Sequence, residues 1–131
     1  DLLQFPDGSF DFVILSQTLQ AFLTPEIVIK ELLRVGKKAV VTIPNFGFWK
    51  VRLHLLLKGT MPITKNLPDE WYNTPNLHMC TLKDFYNFCE NRNIKLDQSI
   101  ALKNEKISTI NKLNLNIKNL SAELGIFLIE R

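Results

Sequence analysis

Phe12-Val13-Ile14-Leu15-Ser16 and Ala39-Val40-Val41-Thr42-Ile43, with Pro25-Glu26-Ile27-Val28-Ile29-Lys30-Glu31-Leu32-Leu33-Arg34-Val35 between them, decide the fold. Each flanking run is short and almost wholly apolar, the pattern of a strand covered on both faces. The middle segment carries Ile27, Val28, Ile29, Leu32 and Leu33 on one side and Lys30, Glu31 and Arg34 on the other, so it reads as an amphipathic helix. Thr24 is placed to cap it, Pro25 suits its first position, and Glu26 meets the positive end of its dipole. Gly36 is expected to stop it in a left-handed conformation. A strand–helix–strand unit of this kind lies parallel with a right-handed crossover. The carboxyl ends of strands 12–16 and 39–43 then sit side by side, carrying Ser16-Gln17-Thr18 and Pro44-Asn45. Ligands of open α/β sheets bind in the crevice outside such ends.

Upstream, Pro6-Asp7-Gly8 sets a tight turn before the first strand. Downstream, 46–58 reads as a helix, with Lys50, His54 and Lys58 on one side, Trp49, Leu53, Leu56 and Leu57 on another, and Gly59 as its stop. Residues 60–79 form a long loop with Trp71 and Tyr72, and loops of that length in small domains are usually functional. Thr81 and Asp84 have capping-box spacing. The helix they open should bury Leu82, Phe85, Phe88 and Cys89 and stop near Asn93. Even spacing of Ile94, Leu96, Ile100 and Leu102 predicts a half-exposed strand, and Ile126–129 a last one. Strands 94–102 and 125–130 are expected to pair antiparallel at one edge. The Asn- and Lys-rich stretch 104–119 favours no element.

With 131 residues and 46% hydrophobic content, one core-bearing domain is expected. Apolar runs of four or five residues are far too short to cross a membrane, where about 20 are needed. The opening Asp1-Leu2-Leu3-Gln4 lacks the features of a signal peptide, and without a methionine the chain reads as a piece of something longer. The net charge of +3 is scattered rather than gathered into a stripe, which argues against nucleic acid. Cys80 and Cys89 form no metal-binding pair, pointing to a reducing, cytoplasmic compartment and no metal.

Ser16, Gln17, Thr18, Gln20 and Asn45 could read a polar ligand without adding charge, or simply cap their strands. Trp49 and Arg52 are residue types that dominate binding surfaces, although a helix packing Trp49 inward with Lys50 and Arg52 solvated also explains them and is the reading favoured here. Trp71, Tyr72 and His78 could form a lid or a docking surface, or pack on their own domain. His54 and His78 have no nucleophile or carboxylate at motif spacing, so no catalytic group is assigned.

The same residues carry a resemblance. Phe5-Pro6-Asp7-Gly8-Ser9-Phe10-Asp11 through Ser16 is similar to the region around the fourth strand of class I S-adenosylmethionine-dependent methyltransferases. Ser16-Gln17-Thr18-Leu19-Gln20, Pro44-Asn45-Phe46-Gly47, Trp49, Val51, Arg52 and Leu53 resemble the MetW family of methionine biosynthesis. So do Met61-Pro62, Trp71-Tyr72, Thr74-Pro75-Asn76, His78 and the ending Gly125-Ile126-Phe127-Leu128. The likeness runs from Leu2 to about Lys95 and returns at the last dozen residues; 97–120 matches nothing recognisable.

The resemblance implies a Rossmann-like fold, here the carboxyl-terminal two-thirds of one methyltransferase-like domain, 1–131, with a mixed sheet and an antiparallel edge. It implies an accessory or regulatory partner of homoserine O-acetyltransferase (MetX), or alternatively a methyltransferase acting on a small metabolite. Ser16 and Gln17 would then border S-adenosylmethionine; Asn45, Trp49, Arg52, Trp71, Tyr72 and His78 would face substrate or partner. No G-x-G occurs in the chain, so holding that cofactor is a task for the full-length protein, and this chain alone is expected to be inactive.

Overall fold

In a computed structural model that describes residues 2–131, Phe10–Ser16 (β1) and Gly36–Pro44 (β2) pair in parallel, joined through the helix Pro25–Val35 (α1). Phe12 lies opposite Lys38, and Ser16 opposite Thr42. After β2 come the helices Trp49–Lys58 (α2) and Leu82–Asn91 (α3), the strands Lys95–Lys103 (β3) and Lys106–Thr109 (β4), the helix Leu115–Ser121 (α4) and the strand Leu124–Glu130 (β5). Spatially the five strands run β1-β2-β5-β3-β4. β5 inserts antiparallel between β2 and β3, Val41 facing Phe127 and Ala101 facing Gly125. The expected antiparallel pair is therefore present, one strand further in than the edge. Hairpin partner β4 closes the sheet.

The undecided 104–119 stretch supplies β4 and most of α4. Asn104 and Glu105 both take positive φ, 48° and 65°, as a tight two-residue hairpin turn demands. That turn usually advertises itself with glycine, and here it does not. Asn119 then holds α4 against the start of α3 by accepting from the Lys83 N–H at 3.2 Å.

Two further readings need correction. Gly36 is no left-handed stop: its φ is −110°, and α1 passes directly into β2. Glycine is needed there for space, since a Cβ would stand 2.6 Å from Val13 Cγ2 and 3.1 Å from the Leu32 carbonyl. Thr24 makes no side-chain cap. The Thr81–Asp84 capping box does form in both directions, and Gly59 does end α2 with φ +64°. α2 begins at Trp49 rather than residue 46.

A further correction concerns cover. Helices α1, α3 and α4 all pack on the sheet face of Ala39, Val41, Ile43, Phe127 and Ile129, burying Ile29, Leu32, Leu82, Phe85 and Leu115 against it. The opposite face, defined by the strand register, carries Phe12, Ile14, Val40, Leu128, Ile126, Ile100, Leu102 and Ile107. Phe12 is 59% exposed and Ile14 70%, so β1 is covered on one face only among the described residues. Among the described residues no helix is long and apolar enough to cross a membrane.

Candidate functional site

At the carboxyl edge the two parallel strands deliver their tips together. Gln17 takes a left-handed φ of 50°, an uncommon conformation for a residue with a side chain. Thr42 of β2 holds it there: the Gln17 N–H donates to the Thr42 carbonyl at 3.1 Å and to its hydroxyl oxygen at 2.9 Å. The Thr42 hydroxyl in turn reaches Ser16 Oγ at 3.4 Å. The side chains of Ser16 and Gln17 face solvent.

Asn45 is used differently. It is buried, and its Nδ2 donates to the carbonyls of Asn119 and Ala122 at 2.7 and 2.8 Å. Its Oδ1 accepts from the N–H groups of Gly47 and Leu82 at 2.9 and 3.2 Å. One carboxamide thus ties the end of β2 to the first turn of α3 and to the end of α4. Its donors and acceptor face inward.

The aromatic and basic candidates stand on two segments. Trp49 is half-exposed, edge-on to Phe48 at 5.9 Å with the Lys50 ammonium 5.6 Å from its ring centre. Arg52 Nε donates to the Gly47 carbonyl at 2.6 Å, bracing the turn before α2. Trp71 and Tyr72 form an edge-to-face pair at 5.6 Å in the long loop and are 70% and 71% exposed. His78 returns that loop to the first crossover: its Nε2 lies 3.2 Å from the Leu23 carbonyl, and its N–H donates to the Gln20 carbonyl at 2.9 Å. So Trp71 and Tyr72 meet each other, whereas Trp49, Arg52 and His78 find their partners elsewhere.

Sequence reasoning missed what the outer side of α2 does. Only Val51 of that helix is buried; it packs with Phe48 and Leu67. Leu53, Leu56 and Leu57, spaced to share a face with Trp49, stand in solvent, Leu56 at 80%. It also missed a cavity of about 520 Å³ between α2, the loop and the β3–β4 turn, walled by Val51, His54, Leu67, Leu102 and Glu123. The paired polarity of Lys50 and His54 was the one available sign of it.

Among the described residues no three His, Cys, Asp or Glu side chains gather as metal ligands would. Both cysteines are free thiols. Burial pushes Cys89 up to about 12, and burial followed by the nearby Asp84 carboxylate pushes Cys80 up to about 11. Neither is a ready nucleophile at neutral pH.

Parallel strands that meet in polar tips, extended by an antiparallel hairpin-like edge and backed by helices, define the class: a Rossmann-like, class I methyltransferase sheet. A S-adenosylmethionine-dependent methyltransferase of Thermotoga maritima, described as a possible histamine N-methyltransferase, superposes with a TM-score of 0.63 over 98% of this chain and 58% of its own, at 14% identity. A S-adenosylmethionine-dependent methyltransferase of Methanosarcina mazei gives 0.54 at 17% identity, over 97% of this chain and 61% of that one.

The family model for methionine biosynthesis protein MetW matches residues 1–129, and the chain belongs to that family. The match runs through 97–120, which no recognisable motif had covered. The bifunctional methionine biosynthesis protein MetXA/MetW of Rhodopirellula baltica is 34% identical over 116 residues, 86% of this chain. Those residues span only 19% of that protein's length.

S-adenosylmethionine, which the fold class implies, fits this chain's residues poorly. The Gln17 N–H at the strand tip is already spent on Thr42, Asn45 points inward, and no Gly-rich loop offers the backbone cradle such a cofactor needs.

Proposed function

We propose that this chain is the carboxyl-terminal part of a MetW-type protein that serves methionine biosynthesis as an accessory or regulatory partner of the homoserine acyltransferase MetX. The observation that carries this reading is the relative in which MetXA and MetW share one polypeptide. Joining two domains raises the effective concentration of each at the other, which serves proteins that work in contact. The exposed Trp71–Tyr72 pair and the Trp49–Leu53–Leu56–Leu57 side of α2 are apolar and aromatic surfaces of the kind that partners bury. Neutral, unpaired thiols suit a cytoplasmic setting.

The second reading is methyl transfer to a small metabolite by the full-length protein, supported by the strained Gln17 at the shared strand edge. The experiment uses the full-length protein. It is co-purified with the acyltransferase, acyl transfer is assayed with and without it, and S-adenosylmethionine binding is measured by calorimetry. A stable complex that changes acyl transfer supports the partner reading. Cofactor binding with methyl transfer and no complex would replace it with the second.

A further inference from the structure

Helix α2 is amphipathic with its apolar side turned outward. Val51 is its one buried side chain and seats the helix on Phe48 and Leu67. At about 100° per residue, Trp49, Leu53, Leu56 and Leu57 point away from Val51 and form one stripe. Leu56 is 80% exposed and Leu57 72%. Arg52 flanks the stripe on one side, Lys50 on the other, and Lys58 closes its far end; all three are exposed. No Asp or Glu occurs between Glu31 and Asp69. Lys50, Arg52, Lys58 and the nearby Lys65 together exceed the net charge of +3 for the whole chain, so the other residues are close to balanced. Glu105 and Glu123 border the cavity beside α2, yet among the described residues none of Lys50, Arg52 and Lys58 forms an ion pair. Lys50 leans on the Trp49 ring instead.

We propose that α2 docks into a groove on a protein partner whose floor is apolar and whose rims carry aspartates and glutamates. Anchors at i, i+4, i+7 and i+8 are the spacing with which a helix fills such a groove. Charge complementarity selects the rims, since three unneutralised cations around an apolar stripe favour carboxylates and penalise a basic surface. A second copy of α2 would bring those same cations against themselves. A bilayer is the weaker match: hold on a membrane grows with the apolar area immersed, and α2 has ten residues with four outward apolar side chains. Its seat on Phe48 and Leu67 keeps the stripe in one orientation, which lowers the ordering cost of docking. The proposal rests on reading the chain as a partner of the homoserine acyltransferase. It goes further in naming the element that enters the complex and the chemistry of the surface that receives it.

The test titrates full-length protein against the acyltransferase. Leu56→Ala with Leu57→Ala should weaken the complex at least tenfold while the melting temperature of the free protein holds, since both side chains stand in solvent. Lys50→Gln with Lys58→Gln should weaken it about tenfold at low salt, and should flatten the loss of affinity that the unmodified complex shows as salt rises from about 0.05 to about 0.5 M. Arg52 is left in place because it braces the turn before α2. Leu113→Ala, at a position 96% exposed and away from α2, should change nothing. A complex indifferent to both double variants overturns this proposal and leaves the partner reading standing; no complex at all overturns the two together. Three other results also overturn it. The leucine variant could melt early, showing α2 covered by its own full-length chain, or sediment as a smaller species, showing a second copy there. Or it could keep the complex but lose binding to vesicles of equal phosphatidylserine and phosphatidylcholine, showing a membrane-surface helix.

Discussion

At the scale of single residues, Asn45 and the Trp71–Tyr72 pair make opposite predictions. Asn45→Ala would leave two buried carbonyls and two N–H groups without their partner and open a small void. It is expected to cost about 3 kcal/mol, measured as a shift of the urea midpoint. Any loss of partner binding in that variant should track unfolding. Trp71→Ala and Tyr72→Ala remove rings that pack mainly on each other, so stability should change by less than about 1 kcal/mol while the complex with the acyltransferase weakens at least tenfold. Cooperative unfolding of either variant at lower temperature with unchanged affinity would sink that assignment. Phe127 is the core counterpart. It is fully buried with its ring 4.7 Å from that of Phe85, and Phe127→Ala should cost about 3–5 kcal/mol.

Helices and strands are pinned to each other by carboxylates whose charged form the fold favours. Arg92 donates to Glu26 across from α3 to α1, and with Lys30 it holds that carboxyl below its ordinary value of 4.5. Arg34 does the same for Glu31 while also pairing with Asp7 and the Leu2 and Phe5 carbonyls. Lys38, then Lys95, holds Asp97 below 3.8 where β3 runs beside β5. In each case the unfolded chain takes up the proton first. Their contribution is therefore complete above pH 4.5 and is lost as the pH falls through that value and below. Urea midpoints should be level from pH 7 to about 5 and then drop, less steeply in high salt. A level profile down to pH 3 would remove these pairs from the account.

What could be read from the sequence divides at the same scale. The parallel pair, α1, the capping box of α3 and the antiparallel partnership of β3 with β5 each announce themselves through apolar period or end chemistry. β4 and α4 do not, because the hairpin turn uses Asn104-Glu105 and the helix buries only Leu115 and Asn119. The role of Asn45 was invisible for another reason: its four partners lie at residues 47, 82, 119 and 122, assembled only by the fold. Strand tips could be placed on one edge from sequence, but which tip faces solvent could not.

For the molecule as a whole, the decisive feature is a sheet that α1, α3 and α4 cover from one side. Phe12 and Ile14 at its rim and Ile107 at the far strand are exposed, and Val40, Leu128, Ile126, Ile100 and Leu102 between them are half-buried. Expressed as these 131 residues, the chain should bind a dye such as ANS in its folded state and self-associate as concentration rises. Ile14→Lys together with Phe12→Thr should lower both without loss of helix content by circular dichroism. Unchanged dye binding in that double variant would mean the surface is not the site of association.

The seamless passage of α1 into β2 has a bearing on how this chain can vary. Where a loop intervenes, an extra amino acid is absorbed as slack. At Val35–Gly36 there is none, so an insertion would either swing the helix about 100° on its axis or turn every inward strand residue outward. Gene-length variation should accumulate in 60–79 and be purged at this joint, a pattern that random single-codon insertion with selection for foldedness would display directly.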